Sequence, residues 1–229
     1  MINFGGVRII LWICTLVYLL QSIYYPVVDS LFGLSYIGNE NFGIMQLVTH
    51  GFLHVDLYHI LINMIMLVVF ASKVEMFFGT KNLFKIFIGS VIFGGIFQTI
   101  YNMIVLNSLM GTIFPVEVIS TPFDRMDFML DYGTEAFNIF AGKTLGASGG
   151  VFGCMIAFTC LFPTERIGLF FIPFTVSARL VIVLYVILEI QQALYGNVEN
   201  IAHFAHLGGG IFGLLYALKL KSDLGKNNA

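Results

Sequence analysis

Charge is what this chain has least of. It carries 11 basic and 13 acidic residues among 229, or 10%, where a soluble domain carries about 25%. The net charge of −2 makes no electrostatic case for a nucleic-acid partner. Cysteine is also sparse. Cys14, Cys154 and Cys160 lie in apolar stretches, with no disulfide framework and no Cys-x-x-Cys pair, so they read as small apolar filler. There is no His-Glu-x-x-His run, no internal repeat and no stretch that reads as a soluble domain. What fills the chain instead is apolar: 58% hydrophobic residues, with 24 Phe and 24 Gly, and a mean hydropathy of +0.91. That composition points to an all-α, polytopic membrane protein forming a single domain over residues 1–229.

A bilayer core of about 30 Å takes roughly 20 mostly apolar residues per helix. Six segments fit: residues 7–25, 56–76, 83–106, 146–162, 176–195 and 201–219. The first is too long, and too lacking in a small-residue cleavage site, to read as a signal peptide. If six helices alternate, Arg8, Lys73, Lys81, Lys85, Arg166, Arg179, Lys219, Lys221 and Lys226 fall on one side. Only Arg125 and Lys143 fall on the other, among Glu117, Asp124, Asp127, Asp131 and Glu135. The positive-inside rule then puts both termini in the cytoplasm, and the expected location is a bacterial plasma (inner) membrane.

Two long connections lie outside on this scheme. Residues 26–55 mix turn formers such as Pro26, Gly33 and Gly43 with Leu31, Phe32 and Ile37, which suits a loop lying on the membrane surface. Residues 107–143 are acidic and polar, contain Pro115 and Pro122, and read as a solvated insertion.

Polar groups inside membrane helices are costly and mark functional sites. His59 and Asn63 share a face of the second segment at spacing four. Ser148 opens the fourth within Gly146-Ala147-Ser148-Gly149-Gly150, and His203 and His206 open the sixth. All three segments enter from the same side, so these groups arrive at similar depth. Gly149, Gly153 and Ala157 form one small-residue stripe, and Gly209 and Gly213 another on the face of His206. Such stripes let helix backbones approach closely, which would bring Ser148 within reach of His206.

A serine hydroxyl needs a neighbouring base, and the tetrahedral intermediate needs donors aimed at its oxyanion. The candidate donors are the Ser148 backbone N–H, His59 and Asn63. Glu199 is two turns from His206, so a Ser–His dyad is preferred to a triad. Glu189 is assigned local pairing with nearby polar residues and no catalytic role. His203 competes with His206 as base, but only His206 heads an Ala-His-x-x-Gly pattern. His50 and His54, at spacing four, have metal-ligand spacing but read better as polar lining of a cavity mouth. A Gly-x-Ser-x-Gly elbow of a soluble hydrolase would need a preceding strand, which the sequence does not offer.

The sequence resembles the rhomboid family of intramembrane serine proteases. Gly146-Ala147-Ser148-Gly149 resembles its GxSG motif, and Ala205-His206-Leu207-Gly208-Gly209 its AHxxG motif. His54-x4-His59-x3-Asn63 is similar to its second-helix signature, and Glu75-x3-Gly79 to another recurrent feature. The resemblance implies a six-helix fold, no cofactor or metal, and transmembrane protein substrates cut in the outer part of the bilayer. By the same resemblance, Ser148 is the nucleophile, His206 the base, and His59 and Asn63 support the oxyanion. Phe152 would pack on His206, and a mobile fifth helix or outer loop would admit substrate. The Trp-Arg pair that some bacterial members carry in the first outer loop is missing here. Two other classes compete: a catalytically silent rhomboid-like binder of membrane proteins, and a transporter with a His-lined cavity. The binder would lack the serine or the histidine, and the transporter would show repeated halves.

Overall fold

The computed structural model describes residues 5–114, 122–168, 175–195 and 202–227. They are mostly helical: α1 Gly5–Ile23, α2 Val27–Phe32, α3 Gln46–Thr49, α4 Leu57–Met110, α5 Pro122–Ala141, α6 Ser148–Leu161, α7 Ala178–Tyr195 and α8 His203–Asn227. Each expected helix falls on one of these. Two of them appear as the arms of α4, which breaks at Gly79, where φ is +79°. A left-handed residue without a Cβ lets the chain reverse there at little steric cost.

By length and apolarity alone, only α1 and α4 among the described residues qualify as membrane-crossing helices, and α6 is apolar but shorter. The six-span count does not follow from that test, because α4 joins two candidates and α6 has only 14 residues. The outward faces are nonetheless apolar well beyond those two helices. Trp12, Leu16 and Leu19 on α1 are exposed, as are Leu184, Ile187 and Leu188 on α7 and Leu214, Leu215 and Leu218 on α8. Exposed apolar surface of this extent is unusual for a protein surrounded by water and marks an interaction surface.

Glu75 explains why Glu75-x3-Gly79 belongs together. Its buried carboxylate accepts the N–H groups of Gly6 at 2.6 Å and Val7 at 3.0 Å, and the hydroxyl of Thr80 at 2.5 Å. The side chain thus caps α1 from across the bundle, meeting donors a helix start leaves unpaired. At the same end, Tyr216 donates to Asn82 (2.9 Å), and Lys73 pairs with Glu165. At the opposite end, the Gln21 side chain both donates to the His54 carbonyl (2.8 Å) and accepts its N–H (3.1 Å). Arg8, Lys73 and Lys81 stand within two residues of Gly6, Glu75 and Gly79, at the end that Glu75 fastens.

The centre is built on backbone contact. A Cβ placed on Gly209 would overlap the Gly149 carbonyl oxygen, and one on Gly213 would overlap that of Gly153. A Cβ on Gly94 would lie 2.5 Å from the Ala205 carbonyl, and one on Gly153 would strike Ser90. So α6 and α8 touch main chain to main chain, with the second arm of α4 wedged against both.

The long connections depart from expectation in detail. Leu34–Ser35 (β1) pairs antiparallel with Lys143–Thr144 (β2), tying the first loop to the approach to Ser148. Arg166–Gly168 (β3) pairs with Thr175–Ser177 (β4) before α7. Strands of two or three residues carry no readable alternation. The 107–143 stretch is not simply solvated: α5 buries Phe128, Ala136 and Phe140 around Tyr36 and Leu106. Pro115 and Glu117 lie outside the described residues.

His50 and His54 are both buried rather than lining a mouth. His50 Nδ1–H donates to the Gln46 carbonyl at 2.7 Å, and burial pulls its imidazole down from 6.5 to about 4.

Two outcomes follow from this packing. Gly213→Leu drives a side chain into the α6 backbone and should cost at least about 3 kcal/mol, since overpacking cannot relax against main chain; thermal unfolding in detergent with midpoint unchanged would refute the contact. Between pH 6.5 and 4 the unfolded chain protonates at His50 while the folded chain does not. Stability should therefore fall as pH drops through that window, by on the order of 3 kcal/mol, and level off below it. His50→Gln should flatten that part of the midpoint-against-pH curve.

Candidate active site

Three helix N-termini converge on one place. Asp56 caps α4, its carboxylate accepting the His59 N–H at 2.7 Å, as an N-cap aspartate does. That fixes His59 in the first turn. Ser148 is the first residue of α6, and His206 the fourth of α8.

The turn into Ser148 is held from outside its own helix. Gly146 N–H donates to the His50 carbonyl at 3.0 Å. Gly146 has φ +141°, an arrangement glycine takes without strain. A Cβ there would lie 3.0 Å from His59 Cε1 and 3.3 Å from Ser148 Oγ. The glycine therefore leaves open the space that the imidazole and the hydroxyl both border. Ser148 is only partly buried, while Ala147, Gly149 and Gly150 around it are buried.

His206 is 8% exposed. Phe152, one turn beyond Ser148, lies over its ring at 5.8 Å and 22°, the packing the resemblance implied. His59 sits within electrostatic reach of His206. The His54 ring meets His59 edge-on at 5.2 Å, and both its nitrogens are buried without a hydrogen-bond partner among the described residues. Its pKa lies far below the usual imidazole value, at about 3, through burial and the neighbouring His59. Asn63 donates one amide hydrogen to the His59 carbonyl at 2.9 Å, which orients the side chain and leaves the second hydrogen available.

One participant went unrecognised in the sequence. Glu189, on α7 and 5% exposed, places Oε2 2.7 Å from His203 Nδ1 and 3.0 Å from His206 Nδ1. The His203 contact has hydrogen-bond alignment; the His206 contact is close but off-axis. Local pairing describes the His203 half of this arrangement but not the half that reaches His206. The only signal available was a glutamate in the middle of an apolar run. Glu199 lies outside the described residues.

Glu189, His203 and His206 also have the donor set of a metal site, with ligand atoms within 4.8 Å of one another. Ligands about 2.0–2.2 Å from a tetrahedral zinc sit roughly 3.3 Å apart. Separations of 2.7 and 3.0 Å are instead hydrogen-bond lengths.

The arrangement supplies a hydroxyl at a helix start, two imidazoles, an amide and a buried carboxylate, bordered by glycine. The rhomboid domain family matches residues 41–222. RHOMBOID-like protein 12, mitochondrial, of Arabidopsis thaliana is 31% identical over 166 residues, covering 71% of this chain and 42% of that protein. Rhomboid protein 1, mitochondrial, of Saccharomyces cerevisiae is 24% identical over 174 residues, covering 75% and 40%. An uncharacterized mitochondrial rhomboid protein of Schizosaccharomyces pombe is 28% identical over 205 residues, covering 80% and 52%. The chain thus spans about half the length, or less, of these relatives.

These relatives overturn the expected bacterial plasma membrane with cytoplasmic termini, since all three are mitochondrial by name. Charge asymmetry sorts connections between the two sides of a bilayer and carries no information about which bilayer it is. Matched over most of its length, with the family's motifs gathered at three helix starts, this chain belongs to the rhomboid family.

Proposed function

We propose that the chain is an intramembrane serine endopeptidase of a mitochondrial membrane, cutting single-span membrane proteins in or near the outer part of the bilayer. Ser148 is its nucleophile and His206 its base. One observation carries the reading: Ser148 opens a helix whose first turns lie main chain to main chain against the helix bearing His206. Six spans, formed by α1, the two arms of α4, α6, α7 and α8, complete the reading. The gathering of basic residues at one end of the bundle supports that count.

In this scheme His206 Nε2 takes the Ser148 hydroxyl proton as Oγ attacks the scissile carbonyl carbon. The carbonyl electron pair moves onto oxygen, facing the Ser148 backbone N–H, His59 and Asn63. Three convergent helix N-termini place partial positive charge around it. Collapse breaks the C–N bond, and His206 returns the proton to the leaving nitrogen. Water, deprotonated by the same imidazole, then releases the acyl group from Ser148.

Ser148→Ala and His206→Ala should each lower cleavage of a model transmembrane substrate by about 10⁴-fold or more. His59→Ala should lower kcat by about 10²- to 10³-fold, as loss of one oxyanion donor does. Cleavage by Ser148→Ala at the wild-type rate would sink the assignment, and so would failure of a fluorophosphonate to label Ser148 in the wild-type protein. For the span count, Lys85→Cys and Asp127→Cys should react with an impermeant maleimide from opposite sides of a sealed vesicle. Labelling from one side only would reject six alternating spans.

A further inference from the structure

We propose that Glu189 is a positioning residue for His206, so that the proteolytic unit is Ser148–His206–Glu189 rather than a pair. The inference rests on the reading of Ser148 and His206 as nucleophile and base.

The chemistry starts from the imidazole's two nitrogens. A base that serves Ser148 through Nε2 must carry its proton on Nδ1, and the partner of Nδ1 decides which tautomer is held. His206 Nδ1 is buried, and no other hydrogen-bond partner reaches it among the described residues. A buried polar atom in that condition is costly. The nearest acceptor is Glu189 Oε2, at 3.0 Å. A carboxylate offers only lone pairs, so contact with it selects the Nδ1–H tautomer and leaves Nε2 unprotonated. The same oxygen accepts from His203 Nδ1 at 2.7 Å, which tethers the carboxylate to α8.

The rest of the setting confines the ring. Phe152 covers one face of His206, and the edge of Tyr185, one turn before Glu189 on α7, packs on Phe152 at 5.3 Å. The ionisable groups facing this cluster are His203 and His206 from α8, Tyr185 from α7 itself, and His59 from α4. His203 is thereby separated from the base role, because its Nδ1 anchors the carboxylate. The arrangement also shows how a carboxylate can serve the base although neither α6 nor α8 carries one near the site: it arrives from α7.

The test compares purified full-length variants on one transmembrane substrate. Glu189→Gln keeps shape and loses charge; it should lower kcat by about 10²-fold or more with KM within about threefold. Glu189→Asp should recover at least about tenfold of that loss. Both should retain the wild-type thermal midpoint within a few degrees. His203→Gln, which breaks the α7–α8 tether but leaves the carboxylate to His206, should cost clearly less than Glu189→Gln.

Three results would overturn the proposal. Wild-type kcat in a folded Glu189→Gln is the first. Equal losses in Glu189→Gln and His203→Gln, with lowered midpoints, would make Glu189 a structural tether. Inactivation by EDTA reversed by Zn²⁺ alone would make the trio a metal site. Failure of the nucleophile and base reading is separately visible, since Ser148→Ala would then remain active whatever Glu189 does.

Discussion

The contact on which the molecule depends is between two helix backbones. Where α6 meets α8, Gly149 and Gly153 present carbonyls to Gly209 and Gly213 with no side chain between. In a bilayer, helix association draws on close packing rather than on the exclusion of water, so intimate backbone approach is a main source of cohesion available to these helices. It also leaves little freedom. Any Cβ at Gly209 or Gly213 must displace main chain, which cannot yield as a side chain does. The positions of Ser148 and His206, each within the first turn of its helix, follow from that one contact. The second arm of α4 fills the crevice beside it through Ser90 and Gly94, locking three helices together.

Around that centre, the loops set geometry more than they supply chemistry. The His50 carbonyl holds Gly146, the β1–β2 pair holds Lys143 and Thr144, and the Lys143 ammonium donates to Ser35 Oγ at 2.6 Å. Three residues separate that short ladder from Ser148. The first connection therefore acts as a clamp on the approach to Ser148. Asp56 does for His59 what this clamp does for Ser148. At the far end of the bundle, Glu75 ties the beginning of α1 to the reversal at Gly79, so each end has its own polar fastening and the middle is left to glycine.

Much of this was legible in the residues, for identifiable reasons. Helices declare themselves over many residues, so all six segments were found. Polar groups stand out against apolar runs, so Ser148, His59, Asn63 and His206 could be picked by contrast, and glycine spacing indicated which helices touch. The features that were missed share another property. The β1–β2 and β3–β4 pairs are too short to show periodicity. The burial of His50 and His54 depends on Gln46, Gly95 and Gln21, which lie on other turns and helices. The helix α5 was hidden by its acidic face, although Phe128 and Phe140 at spacing twelve lie close enough to stack in a small core of their own. Glu189 was visible, but its partners were not: the rotation of α7 that aims it at His206 is a matter of tertiary packing. Counting carboxylates along α6 and α8 could not reveal one delivered by a third helix.

Where Glu189 is mounted has a dynamic consequence. Among the described residues α7 touches α6 and α8 far more sparsely than those two touch each other. Any outward swing of α7 that widened the path to Ser148 would carry the carboxylate away from His206 Nδ1. On the proposed reading, His206 would then idle with its ring unheld until the helix docked again. On that reading an open site and an armed site would be mutually exclusive populations, and by linkage whatever favoured re-docking would favour the armed one to the same degree. Such an interlock would admit water and chance peptides to a serine that is not yet dangerous.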